Sequence, residues 1–153
     1  NINDKRLKTY SQDGRSYLNY SQNKYDTILI DAFKGTNAPF ELTTYEALTN
    51  AKNMLNENGI VITNIISSSE DDDAKFIEYE YSTYKAIFDD VKVFKVADRD
   101  ASDIQNLILV GIKGNTEIDN SKFEEYSQYL NMQISDFKTD KKIVTDDFAP
   151  IGN

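Results

Sequence analysis

The chain has 153 residues, 28% of them charged and 39% apolar, with a formal net charge of −9. That length suits one domain with a real core, and the acidic balance argues against a phosphate-tracking nucleic-acid surface while favouring cationic partners. Cysteine and histidine are absent. This excludes disulfides, thiolate nucleophiles and Cys/His zinc sites, so proton transfer falls to Asp, Glu, Tyr or Lys.

In chain order, "RLKTY" (Arg6 to Tyr10) alternates as a short strand does. Asp13-Gly14 is a turn signal, and Ser16 to Tyr20 reads as a brief helix. "YDTILID" is a near-continuous apolar strand, the pattern of a strand covered on both faces. The loop "AFKGTNAPFEL" follows. From Thr43, "TTYEALTNAKNMLNENG" predicts a helix capped by Thr43 or Thr44, ended by Gly59, with Ala47, Leu48, Ala51 and Leu55 inward.

"IVITNII" (Ile60 to Ile66) is a second buried strand, and the acidic run "EDDD" after it reads as a solvated connection. "AKFIEYEYSTYKAIF" predicts an amphipathic helix anchored by Phe76, Ile77, Tyr84 and Phe88, its tyrosines serving packing rather than a ligand wall. "VKVFKVA" and "NLILVGI" form a final antiparallel pair. Asp119 to Asn131 reads as a polar helix, and "IVTDDFAPIGN" ends the chain. No apolar run approaches the length of a membrane span. Alternating strands and helices predict an α/β fold with a mainly parallel sheet.

Such sheets bind ligands beyond the carboxyl ends of their strands. Asp31 ends one strand, Asp13 follows another, and Asn64 lies near the end of a third. A carboxylate held there by a rigid strand can accept hydrogen bonds or a proton; the same residue can equally cap a turn through its own backbone.

Together, "DGRSYL", "YDTILIDAF", "PFELTTYEAL", "NGIVITN" and "VTDDFAPI" resemble the spermidine synthase-like proteins, the polyamine aminopropyltransferases. The likeness is to the prokaryotic branch often fused to membrane segments, and it runs over roughly residues 5 to 151. It implies the Rossmann-like, S-adenosylmethionine-dependent methyltransferase fold. It also implies transfer of an aminopropyl group from decarboxylated S-adenosylmethionine, a co-substrate rather than a tightly bound cofactor, to an amine. On the resemblance, Asp13 and Gly14 hold the adenine and Asp31 is the catalytic carboxylate beside the reacting amine, placed to accept its proton. Asp146 and Asp147 bind the substrate amine, and Glu41 is a weaker candidate that more readily caps the following helix.

Two departures accompany the resemblance. Where the family carries a second acid, three residues after the first, stands Lys34, which repels a cationic amine. The family's first two strands and its Gly-rich loop precede residue 1, so residues 1–153 are expected to form a single, partial domain. The family's strand order is 3-2-1-4-5-7-6, and "YDTILID" is then an open edge, available to a second copy. Two other readings stand beside aminopropyl transfer: an S-adenosylmethionine-dependent methyltransferase, and a non-catalytic pseudoenzyme or assembly module. The expected setting is cytoplasmic, as a free protein or as the cytosolic part of a membrane-fused one, with no membrane or nucleic-acid contact by this segment.

Overall fold

The computed structural model describes residues 4–33, 39–70, 75–97, 100–115, 127–134, 137 and 140–149. Helix α1 (Gly14–Tyr20) leads into strand β1 (Tyr25–Ile30). A 3-10 turn (Phe40–Leu42) precedes helix α2 (Tyr45–Met54). Strand β2 (Leu55–Ser67), helix α3 (Lys75–Ile87), and strands β3 (Asp90–Lys95) and β4 (Gln105–Ile112) follow. A helical turn α4 (Ser127–Leu130) and a short strand β5 (Gln133–Ile134) come after.

The five strands lie in the order β1-β2-β4-β3-β5. β1 pairs parallel to β2, and β4 runs antiparallel to both β2 and β3. The antiparallel β3/β4 pair is as expected. The sheet is mixed rather than mainly parallel, because β4 inserts between two strands that share a direction.

α2 and α3 cover one face of this sheet. They set Ala47, Leu48, Ala51, Ile77, Tyr84 and Phe88 against Ile30, Val61, Ile65, Val93, Leu107 and Leu109. The regular alternation of buried and half-buried residues from Gly59 to Ser67 is what a strand with one covered face produces. Gly111 of β4 is required by this packing: a Cβ there would lie 2.4 Å from the Phe88 ring.

Several sequence expectations are corrected. "RLKTY" forms no strand; residues 6–10 are irregular, with Leu7 and Tyr10 exposed. A strand needs a hydrogen-bonding neighbour, and these residues have none in the sheet. β1 is an edge strand, as anticipated, but it is not covered on both faces, since Leu29 is 63% exposed.

α2 stops at Met54, five residues before Gly59, and β2 begins at once. The register with β1 slips between Tyr25 and Thr27, and Asn58 in that excursion, not Gly59, holds the left-handed conformation (φ 62°). Asn tolerates this region better than most residues. Gly59 serves instead for close approach: a Cβ would meet Asp26 O at 3.1 Å. Of the expected polar helix, Ser127–Leu130 are helical and 119–126 lie outside the described residues, as do Asp71 to Asp73. Among the described residues no helix is long and apolar enough to cross a membrane.

Candidate active site

A cleft of about 520 Å³ runs along the free edge of β1. Six consecutive residues, Thr27 to Ala32, line it. Successive side chains of a strand face opposite ways, so a wall of consecutive residues is the edge itself. Gly14 and Tyr17 of α1 form the opposite wall, and Leu42 contributes from the 3-10 turn. The Tyr17 and Tyr25 hydroxyls bond to each other and Asn23 Nδ2 donates to Tyr17 Oη at 3.1 Å, fixing α1 beside β1.

Asp31 sits one residue beyond β1, exposed, in the wall of this cleft. Ile30 is in register with Thr63, which brings the next residues, Asp31 and Asn64, side by side. Asn64 Nδ2 donates to Asp31 Oδ1 at 3.1 Å. Asn64 Oδ1 is buried and has no hydrogen-bond partner. Asn64 lies outside the cleft lining and serves to hold the Asp31 carboxylate.

Gly14 opens α1 and lines the cleft; a Cβ there would come within 3.3 Å of Leu42 Cδ2. Asp13 caps α1, accepting the Ser16 N–H at 2.8 Å. That bond stabilises the ionised form and holds the Asp13 carboxyl below the usual carboxylate range. Gly14 and Asp31 therefore share one cleft, with Asp13 at its border.

Asp146 is engaged elsewhere. Its Oδ2 accepts Arg15 at 2.6 Å, its Oδ1 accepts the Thr44 hydroxyl at 2.7 Å, and its N–H donates to Glu46 Oε2 at 3.0 Å. Asp147 is exposed with no hydrogen bond to a described residue. Neither lines the cleft. Glu41 lies in the 3-10 turn, and Thr44 rather than Glu41 caps α2 by accepting the Ala47 N–H. Lys34 lies outside the described residues.

Sequence reading missed Arg15, which ties the end of the chain to the start of α2. It donates to Glu41 O at 2.9 Å, Thr44 Oγ1 at 2.8 Å and Asp146. Its carboxylate partner is 131 residues away, a separation that no local pattern reveals.

Residues 1–121 match the spermine/spermidine synthase domain model. The polyamine aminopropyltransferase of Vibrio vulnificus is 24% identical over 94% of this chain and 51% of its own length. A probable polyamine aminopropyl transferase of Bifidobacterium longum is 25% identical over 82% of this chain and 27% of its own. The chain thus spans about half the length, or less, of these curated relatives.

Among solved structures, a probable spermidine synthase from Corynebacterium glutamicum superposes with a TM-score of 0.65 at 24% identity. It covers 83% of this chain and 44% of that one. Human methyltransferase-like protein 13 in complex with SAH superposes at 0.61 and 20% identity, over 84% and 59%. At such identities these two establish the fold, which is that of the S-adenosylmethionine-dependent methyltransferases. With the family model spanning most of its length, the chain belongs to the spermine/spermidine synthase domain family.

Proposed function

We propose that this chain forms the carboxyl-terminal half of an aminopropyl-transfer site and works with the family's first two strands and Gly-rich loop. The carrying observation is Asp31, just beyond the carboxyl end of β1 and held there by Asn64 of β2, in the wall of a cleft whose other side is Gly14. A nucleoside co-substrate, decarboxylated S-adenosylmethionine, lies along that cleft, its adenine toward the ionised Asp13. The acceptor is a polyamine or another amine. An amine attacks only as the free base, so Asp31 accepts its proton while Asn64 fixes the carboxylate. The N–C bond to the aminopropyl carbon forms as the sulfonium S–C bond breaks, methylthioadenosine leaves with the electron pair, and the displacement depends chiefly on alignment of amine and carbon.

Asp146 contributes by holding Arg15, and Asp147, free at the surface, is available to the distal end of a polyamine. The open edge of β1 allows a homodimer when the preceding strands are absent. The net charge of −9 supports a cationic substrate.

The test is turnover by the full-length protein carrying Asp31→Asn. The side chain keeps its size and loses its basicity, and the expected loss is about a hundredfold or more in kcat, the usual worth of a positioned base. Undiminished turnover sinks the assignment. Methyl transfer is the second reading, favoured by Lys34 in the place where the family resemblance puts an amine-binding acid. Methylation of an acceptor without aminopropyl transfer distinguishes it.

A further inference from the structure

The covered face of α3 reads Ile77, Glu80, Tyr84, continued by Phe88 just past its end, a stripe at helical spacing. Three of these suit a core; Glu80 is as fully buried as the rest. Among the described residues no cation is paired with it. Its contact is the Thr43 hydroxyl, 2.8 Å from Oε1, while Oε2 is buried without a partner.

The Thr43 hydroxyl also lies 3.3 Å from the Phe40 carbonyl, and a hydroxyl has a single hydrogen to give. If Glu80 is ionised, that hydrogen is claimed by the carboxylate. If Glu80 is protonated, its O–H donates to Thr43 Oγ1, and the Thr43 hydrogen passes on to Phe40 O. Only the neutral acid completes both contacts, and it avoids an unpaired charge in the core.

The tie matters for what Thr43 holds. It joins the 3-10 turn to α2. Leu42 on one side of it packs over Gly14 in the cleft wall, and Thr44 on the other anchors Arg15 and Asp146. We propose that Glu80 is a protonation latch: as the neutral acid it rests in the core and leaves the Thr43 hydrogen to Phe40 O, and loss of its proton takes that hydrogen from the turn and leaves an unpaired buried charge that moves toward solvent, loosening the turn before α2 and the cleft wall it carries. The consequence for the cleft rests on the functional reading above; the latch itself does not.

Burial pushes the Glu80 carboxyl up to about 8, the Thr43 bond opposing it weakly. The surrounding groups leave this balance to Glu80. Tyr84, one turn along α3, is held neutral by burial well above the ordinary phenol range. Glu78 pairs with Lys141 of the chain's closing segment, and Glu46 of α2 accepts the Asp146 N–H. β2 presents Thr63, bonded to Tyr84 Oη.

The test is hydrogen exchange of the amides of Thr43, Tyr45 and Ala47, compared between the wild-type chain and Glu80→Gln at matched pH. These amides bond to Phe40 O, Val144 O and Thr44 Oγ1. Gln mimics the neutral acid. The two proteins are expected to coincide at about pH 6, and the wild type to exchange about tenfold faster or more at about pH 9. Equal exchange at both pH values, or the same difference at both, overturns the latch. An infrared titration of the wild-type protein gives the same answer without relying on the variant. A protonated-carboxyl band present at about pH 6 and lost by about pH 9 supports the latch, and its absence at the lower pH refutes it. If the latch holds while Asp31→Asn leaves turnover intact, the functional reading fails and the switch in the fold stands.

Discussion

At the residue scale, the site's acids are separated by what already holds them. Among the described residues Asp31 has one hydrogen-bond tie, to Asn64, and is exposed in the cleft, whereas Asp146 has Arg15 and Thr44. The adjacent pair Asp146-Asp147 looks alike in sequence, and the difference comes entirely from partners distant along the chain. Arg15→Leu is therefore expected to lower stability by about 1–2 kcal/mol in urea titration, because Glu41 O and Thr44 Oγ1 lose a half-buried donor. No change would make Asp146 free for a ligand.

Glu80 was equally illegible, since its place in the apolar stripe of α3 can be read but its contact with Thr43, 37 residues away, cannot. Its folded-state value near 8, against an ordinary 4.5, fixes a sign. Between these values the unfolded chain binds fewer protons than the folded one, so stability falls as pH rises through this window. Unfolding free energies from urea titration are expected to drop between about pH 6 and about pH 8, by about 1 kcal/mol or more, and the drop to flatten in Glu80→Gln. A wild-type profile parallel to that of the variant would place the proton elsewhere.

At the scale of elements, α3, β3 and β4 were legible because hydrophobic period and length agree there. The end of α2 was not. The sequence "MLNENG" continues a helical pattern, but Leu55 is captured by β1, through Tyr25, as the first residue of β2. Pairing to a neighbouring strand overrides local preference, and a helix-ending Gly was expected where Asn58 makes the turn. The same reasoning explains why "RLKTY" stays irregular beside a sheet whose edge is open.

The contact of α3 with the sheet makes a sharp prediction. Gly111→Ala forces a methyl into the Phe88 ring and is expected to cost about 2–3 kcal/mol. Adding Phe88→Leu should recover part of it in thermal melts, and an additive loss would mean that the clash is not with Phe88.

At the scale of the molecule, the order β1-β2-β4-β3 reproduces the 4-5-7-6 half of the strand order that the resemblance implies. This arrangement leaves an apolar strand at the edge. Leu29 is exposed on it, next to the cleft. Self-association of the isolated chain is expected to rise with concentration, and Leu29→Lys to reduce it, as charged edges do. Light scattering that shows a monomer throughout, with no effect of the substitution, contradicts this. What the sequence could not disclose at this scale is the meeting of Gly14 and Asp31 across one cleft, because that depends on how α1 leans on β1 through Tyr17 and Tyr25.

The measurement that bears most directly on the account is mapping of methylthioadenosine on the isotope-labelled chain by amide NMR shifts. NMR detects the weak binding expected of half a site. The account predicts shifts confined to Gly14, Tyr17, Ala32 and Leu42 with their neighbours, lost in Asp13→Ala. Shifts clustered on any other face, or none at the nucleoside's limit of solubility with the chain shown to be folded, would contradict it.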